Sequence, residues 1–199
     1  MSELEIDETY LRETLRTLLT IPSPSGYTDK IARWCCEELE RLGIEYELTR
    51  RGAIRSRLPG REEQPARAII SHVDTLGAQV SYIKDNGRLS LAPIGHWSAR
   101  FAEGARCTLF TEHGSYRGSI LPLKASGHVY NKEIDTQPVA WSQVELRIDA
   151  PVHNDIDAAA IGVASVSMDS LGIAVGDFVA IDPCPEFLGN GFIVSRHLD

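Results

Sequence analysis

The stretch Arg67-Ala68-Ile69-Ile70-Ser71-His72-Val73-Asp74-Thr75-Leu76-Gly77 decides the fold that the sequence predicts. Its apolar run, Ala68 to Ile70, is typical of a buried strand. His72 and Asp74 follow two residues apart, and in extended backbone such residues point to the same side. The Asp74 carboxylate can therefore accept the proton of one His72 ring nitrogen and leave the other free, which is how metal-bound histidines are usually oriented. A surface pair without a metal is the alternative interpretation of so short a motif.

Two helices and two short strands are predicted on the N-terminal side of this stretch. The first helix is capped by Asp7, and the second begins at Thr28 and stops at Gly43. Between them, Ile21-Pro22-Ser23-Pro24-Ser25-Gly26 forms a stiff loop, because it contains two prolines and a glycine. Strands are predicted at residues 45–49 and 53–58, and this alternation of helices and strands is typical of an α/β layer.

After Gly77 the predicted elements are short strands instead of alternating helices and strands. The turn Asp85-Asn86-Gly87 between two apolar alternations is a strong hairpin signal, and a second hairpin is predicted around His113-Gly114-Ser115. Further strands are predicted at residues 142–148 and 177–181. Many short strands with regular turns and hardly any helix predict a small barrel or sandwich.

The last residues again resemble the α/β layer predicted for the N-terminal residues. Gly191 to Ser195 is predicted to be another buried strand, and Arg196-His197-Leu198-Asp199 follows it. A buried strand needs cover on both faces, and this sequence supplies no helix after it. The α/β layer is therefore predicted to be incomplete.

Composition narrows the class of protein. The chain has 199 residues, is 43% apolar and 24% charged, and carries a formal net charge of −8, as is ordinary for a globular protein. Since it has no basic run, nucleic-acid and anionic-membrane partners are not expected. No apolar segment approaches the roughly 20 residues that cross a bilayer. The acidic start, Met-Ser-Glu-Leu-Glu, lacks the regions of a signal peptide, which predicts a cytoplasmic location.

Other kinds of active site fit the sequence less well. Ser23 and Ser25 lack the Gly-x-Ser-x-Gly elbow of serine hydrolases. The adjacent Cys35 and Cys36 are predicted to pack in the core, as free cysteines usually do. Five other histidines lack ligand spacing within one element and are predicted to lie on the surface or in loops: His96, His113, His128, His153 and His197.

Five motifs in fixed order resemble the N-terminal portion of the M42 family of metallo-aminopeptidases, which includes the glutamyl aminopeptidase, deblocking aminopeptidase and TET group. The motifs are the Ile21–Gly26 loop, the His72–Gly77 run, Gly95-His96-Trp97, Gly172-Ile173-Ala174-Val175-Gly176-Asp177 and Ser195-Arg196-His197-Leu198-Asp199.

The resemblance implies an α/β fold in which a partial α/β/α metallopeptidase domain is interrupted by an inserted small β-barrel. Residues 1–76 and 187–199 would form the partial catalytic domain. Residues 77–186 would form the barrel, which in the family commonly serves oligomer assembly and shapes access. The expected protein is thus a homo-oligomer that acts on short peptides.

The same resemblance implies a site with two divalent metal ions, zinc or cobalt, in the full-length protein, and this chain is not expected to bind them fully. His72 would be a ligand of one metal, and Asp74 would be the catalytic residue that orients it. Asp199 falls where the family has the aspartate that bridges the two metals.

The sequence also departs from the family pattern. Thr75 stands where the family often has Glu, and Gly95-His96 stands where it has Gly-Gly. The family's catalytic Glu, a second Glu ligand, a further Asp and the last His lie beyond the position of Asp199. We therefore expect this chain to be the N-terminal part of an aminopeptidase and to be inactive by itself. The alternative is a non-catalytic β-barrel module for assembly or binding with a vestigial metal site.

Overall fold

A computed structural model describes residues 5–61, 64–151 and 168–198. The chain divides into two compact units, which are Met1–Thr75 with Pro185–Asp199, and Leu76–Cys184. In the part of the chain that is described, no helix combines the length and the apolar character that crossing a bilayer requires.

The described residues form short helices and short strands in an α/β arrangement. The helices are α1 (Glu8–Thr20), α2 (Asp29–Arg41), α3 (Gly127–Tyr130) and α4 (Glu133–Thr136). The strands are β1 (Tyr46–Leu48), β2 (Ile54–Ser56), β3 (Gly77–Ile83), β4 (Leu89–Ile94), β5 (Arg106–Thr111), β6 (Gly114–Pro122), β7 (Val144–Ile148), β8 (Phe178–Ile181), β9 (Glu186–Phe187) and β10 (Ile193–Val194).

Helices α1 and α2 confirm the two helices predicted in the first unit. The Asp7 carboxylate caps α1 by accepting a hydrogen bond from the Tyr10 backbone amide at 2.9 Å. The Tyr10 hydroxyl donates to Glu38 of α2 at 2.8 Å and links the helices. Leu19 and Ile31 are buried, one from each helix, as the amphipathic pattern requires.

The predicted buried strand at Ala68–Ile70 is wrong. These residues have no regular structure, and Ile69 and Ile70 are 99% and 91% exposed. An apolar run forms a buried strand only where neighbouring strands and a covering layer are present. The described residues of the first unit pair β1 only with β2 and β9 only with β10, so they provide no such neighbours.

The strand predicted at Gly191–Ser195 is present in shortened form but is not buried. It is reduced to β10, which pairs antiparallel with β9 through Ile193 and Phe187. Phe192 and Val194 are exposed. The physical reason is the same, because a two-residue ladder with one neighbour leaves most of its side chains in solvent.

The second unit is a closed antiparallel barrel, which confirms the prediction of a small barrel or sandwich after Gly77. Its strand order is β3-β4-β7-β6-β5-β8, and β8 closes the ring by pairing with both β3 and β5. Both predicted hairpins are present as β3–β4 and β5–β6. Alternate side chains point inward and form one core, which includes Val80, Leu89, Leu91, Cys107, Leu109, Ile120, Val144, Leu146 and Val179.

Candidate metal-binding site

The Ile21–Gly26 loop fixes the run that carries His72 and Asp74. The hydroxyl of Ser23 is fully buried and donates to the Val73 carbonyl at 2.9 Å. The Thr75 amide donates to the Ser23 carbonyl at 2.9 Å, and Pro24 forms a parallel bridge with Thr75. The backbone of residues 73–75 is therefore held by a loop about fifty positions earlier in the chain.

The end of this loop is a tight turn that presents Ser25. The Tyr27 amide donates to the Pro24 carbonyl at 2.7 Å, and Gly26 occupies the third position of the turn with φ 91°. That backbone conformation is disfavoured for residues with a side chain but costs glycine little. The Ser-Pro-Ser-Gly sequence is thus the local reason that the Ser25 hydroxyl faces Asp74.

Both carboxylate oxygens of Asp74 are occupied by hydrogen bonds. Ser25 donates its hydroxyl to Oδ2 in a short contact. His72 Nδ1 lies 3.0 Å from Oδ1 and 3.1 Å from the Asp74 backbone carbonyl oxygen. A carboxylate and a carbonyl can only accept, so Nδ1 must carry the hydrogen in this arrangement. The lone pair of neutral His72 then resides on Nε2.

The local electrostatics keep Asp74 ionised. The hydrogen bond from Ser25 is the main reason that the pKa of Asp74 is lowered, and partial burial opposes it. A backbone hydrogen bond and the interaction with His72 lower the pKa of Asp74 further. An ionised carboxylate is the form that accepts the Nδ1 hydrogen and makes the imidazole a better ligand.

The pair fits one ligand of a metal centre. The His72 and Asp74 side chains are 58% and 38% exposed, so both can be reached from solvent. Among the described residues, no group of three or more His, Cys, Asp or Glu side chains could hold a metal ion. Asp199, the predicted second ligand, lies outside the described residues. The roles of His72, Asp74 and Asp199 therefore stay predictions.

The other candidate side chains are distributed as follows. His96, His113 and His128 are exposed as predicted, and His153 lies outside the described residues. His197 lies outside the helices and strands, as the loop alternative predicts, but it is buried with only 6% exposure. Spacing along the chain carries no information on tertiary burial. Cys36 is buried, which confirms its predicted core position, whereas Cys35 is only half-buried.

The sequence did not indicate that Ser23 and Ser25 contact this run. The sequence predicts only that both serines lie in a stiff loop and lack the elbow of a serine hydrolase. In a serine hydrolase the imidazole lies between serine and carboxylate, so that it can take the serine proton. Here the carboxylate of Asp74 lies between Ser25 and His72, and Ser25 donates to that carboxylate. The serines instead hold the His-x-Asp run in place. The two prolines and the glycine beside them predict a rigid loop but not this contact.

Comparison with known proteins identifies the family. The family model described as M42 glutamyl aminopeptidase matches residues 52–199. The chain belongs to the M42 family. Its members are hydrolases, and the resemblance found from the five motifs is confirmed.

Two relatives show how far this membership extends along the chain. The Bacillus subtilis (strain 168) protein YhfE is named as an aminopeptidase. It is 38% identical over 188 residues, which cover 94% of this chain and 51% of that protein. The glutamyl aminopeptidase of Lactococcus lactis subsp. cremoris (strain MG1363) is 25% identical over 158 residues, which cover 77% of this chain and 43% of that protein. The M42 chain thus spans about half the length of the curated relatives it matches.

Solved structures share the fold. The TET aminopeptidase of a marine sediment Thaumarchaeota archaeon superposes with a TM-score of 0.73 at 21% identity, covering 94% of this chain and 48% of that one. The TET1 peptidase of Pyrococcus horikoshii, described as assembling into a tetrahedron or a large octahedral shell, superposes with a TM-score of 0.69 at 22% identity, covering 95% and 52%. At these identities the likeness concerns the fold alone.

Proposed function

We propose that this chain corresponds to the N-terminal part of a metal-dependent aminopeptidase that removes N-terminal residues from short peptides. The observation that carries the proposal is the oriented imidazole of His72, whose Nδ1 faces Asp74 at 3.0 Å in a chain of the M42 family. Imidazole backed by a carboxylate is the usual form of a histidine ligand to zinc.

The site is proposed to hold two divalent ions, zinc or cobalt. His72 would ligate one ion through Nε2, and Asp199 would bridge both. Bound metal would acidify a water and polarise the peptide carbonyl. Asp74 would keep the Nδ1 hydrogen of His72 in place, and its lowered pKa suits this role at neutral pH.

The proposed domain arrangement follows the two compact units. Residues 1–76 and 187–199 would be part of an α/β/α catalytic domain, and residues 77–186 would be the inserted barrel. The division of the chain at Thr75/Leu76 and Cys184/Pro185 supports this arrangement. The general base and the remaining ligands of the family would come from residues outside this chain.

Metal binding by the purified chain tests the proposal. Titration with Co²⁺, followed by visible absorption and calorimetry, should show binding that His72→Ala abolishes. His128→Ala is the matched control, because His128 is exposed on the barrel unit and should bind Co²⁺ as the unchanged chain does. Binding that survives in His72→Ala and is lost in His128→Ala would refute the assigned ligand.

Peptidase assays test the second part of the proposal. We expect no turnover of short peptides by this chain with added Zn²⁺ or Co²⁺, because a dinuclear hydrolase needs a base to take the proton of the attacking water. Turnover that co-purifies with the chain and is abolished by His72→Ala would show that the chain has a complete site.

Assembly through the barrel is also proposed. The barrel unit exposes several large apolar side chains, which are Tyr82, Phe101, Val129, Val139 and Val175. Exposed apolar surface of this kind marks interfaces when it is contiguous. Light scattering during gel filtration should give a mass above the 21.9 kDa of one chain, and a monomer at all concentrations would contradict this proposal.

A further inference from the structure

The loop and the His-x-Asp run are joined by two kinds of contact. Ser23 makes buried contacts with the backbone, through Val73 and Thr75. Ser25 makes one side-chain contact, with Oδ2 of Asp74, across 49 positions of the chain. Ser25 is exposed, whereas Ser23 is fully buried. The two serines therefore act on different parts of the same run.

The Asp74 carboxylate needs an external contact to stay oriented. It is 38% exposed, and an aspartate side chain in contact with solvent can rotate about two torsions. His72 alone cannot fix it, because the imidazole is 58% exposed and is itself oriented by that carboxylate. The hydroxyl of Ser25 comes from a separate, proline-braced turn and fixes the oxygen that His72 does not use.

We propose that Ser25 is a positioning residue that, by holding Asp74, keeps the hydrogen of His72 on Nδ1 and its lone pair on Nε2. The identity of the ligand that Nε2 binds rests on the proposed function, but the positioning concerns the protein alone. A histidine side chain free in water favours the opposite tautomer, with hydrogen on Nε2, so the tautomer reports whether Asp74 is held.

Nitrogen-15 NMR of the histidine side chains in the metal-free chain tests the proposal at one fixed pH of about 8, where an ordinary histidine is neutral. In the unchanged chain, His72 should be mainly the Nδ1–H tautomer. In Ser25→Ala the population of the Nε2–H tautomer should rise severalfold. Ser25→Thr keeps a hydroxyl at this position and should restore the original tautomer.

Ser23→Ala separates positioning from folding stability. It removes a buried hydrogen bond from the same loop but leaves the hydroxyl of Ser25 in place. We expect a lower denaturation midpoint with the His72 tautomer unchanged, whereas Ser25→Ala should change the tautomer and leave the midpoint nearly unchanged. A His72 tautomer that is the same in the unchanged chain and in Ser25→Ala overturns the proposal.

Co²⁺ binding by the same variants distinguishes this inference from the proposed function. Loss of the carboxylate partner of a ligating histidine typically lowers metal affinity 10–100-fold, so Ser25→Ala, which only loosens that partner, should lower it by about tenfold or less. A tautomer change in a chain that binds no Co²⁺ would support the positioning role and contradict the metal site. If His72→Ala loses Co²⁺ binding while Ser25→Ala binds Co²⁺ as the unchanged chain does and shows no tautomer change, the metal site is supported and the positioning role is contradicted.

Discussion

Gly118→Ala should destabilise the barrel unit because one added methyl group has no room there. Gly118 lies in β6 and pairs with Cys107 of β5 and Ile148 of β7. A Cβ atom at this position would lie 2.7 Å from the Arg147 carbonyl oxygen and 2.7 Å from Cδ1 of Leu146. The carbonyl belongs to the neighbouring strand and cannot retreat without disturbing the β6–β7 pairing.

The magnitude follows from the cost of overpacking. Since Leu146 is fully buried in the barrel core, its side chain has little space to move aside. Forcing an extra carbon into such a site typically costs about 1–3 kcal/mol. That cost corresponds to roughly 2–12 °C in the melting temperature of a chain of this size.

Guanidinium denaturation monitored by circular dichroism measures this cost, and Gly127→Ala is the matched control. A Cβ at Gly127 would meet only Cδ1 of Ile134 at 3.5 Å, an ordinary contact, so its stability should stay within about 0.5 kcal/mol of the unchanged chain. Equal stability of Gly118→Ala and Gly127→Ala would refute the argument that β6 and β7 approach too closely for a side chain.

Two further predictions concern acid sensitivity and core packing. The hydrogen bond from Arg41, followed by that from Tyr10, lowers the pKa of Glu38 to about 2 from an ordinary 4.5. The stabilisation is therefore present above pH 4.5 and lost as the pH falls towards about 2, and urea denaturation should show Glu38→Gln less stable than the unchanged chain at pH 7 but equal to it near pH 2. Leu109→Ala should lower the free energy of unfolding by about 2–5 kcal/mol, because Leu109 is fully buried in the barrel. Leu11→Ala in α1, where the side chain is 55% exposed, is the control and should change it by about 0.5 kcal/mol or less.

The barrel could be predicted from the sequence because its signals are local. The turn Asp85-Asn86-Gly87 joins β3 to β4, and the alternation within β5 places Cys107 and Leu109 inside and Arg106 outside. The order of the strands could not be predicted. The pairing of β8 with both β3 and β5 joins residues about 70 to 100 positions apart, and no local pattern specifies such a partner.

In the candidate site, too, the local contact could be predicted from the sequence and the long-range contact could not. The contact of His72 with Asp74 follows from their spacing in extended backbone, and the structure has these two side chains 3.0 Å apart. The contact of Ser25 with Asp74 depends on a turn in one segment that packs against another segment 49 positions later. Both segments are recognisable as motifs in the sequence, but no local pattern indicates that they lie together.

The error at Ala68–Ile70 shows what apolar periodicity measures. The apolar pattern of a segment indicates how strongly its side chains favour burial, and the structure shows whether other elements cover them. In the barrel unit both agree, because each apolar strand finds a neighbour on either side and Leu109 and Leu146 share one core. In the first unit they differ, because Ile69 and Ile70 are exposed while the backbone three residues later is tied to Ser23 by a hydrogen bond. The geometry of His72 and Asp74 therefore depends on the serine loop rather than on the strand that the sequence predicted before them.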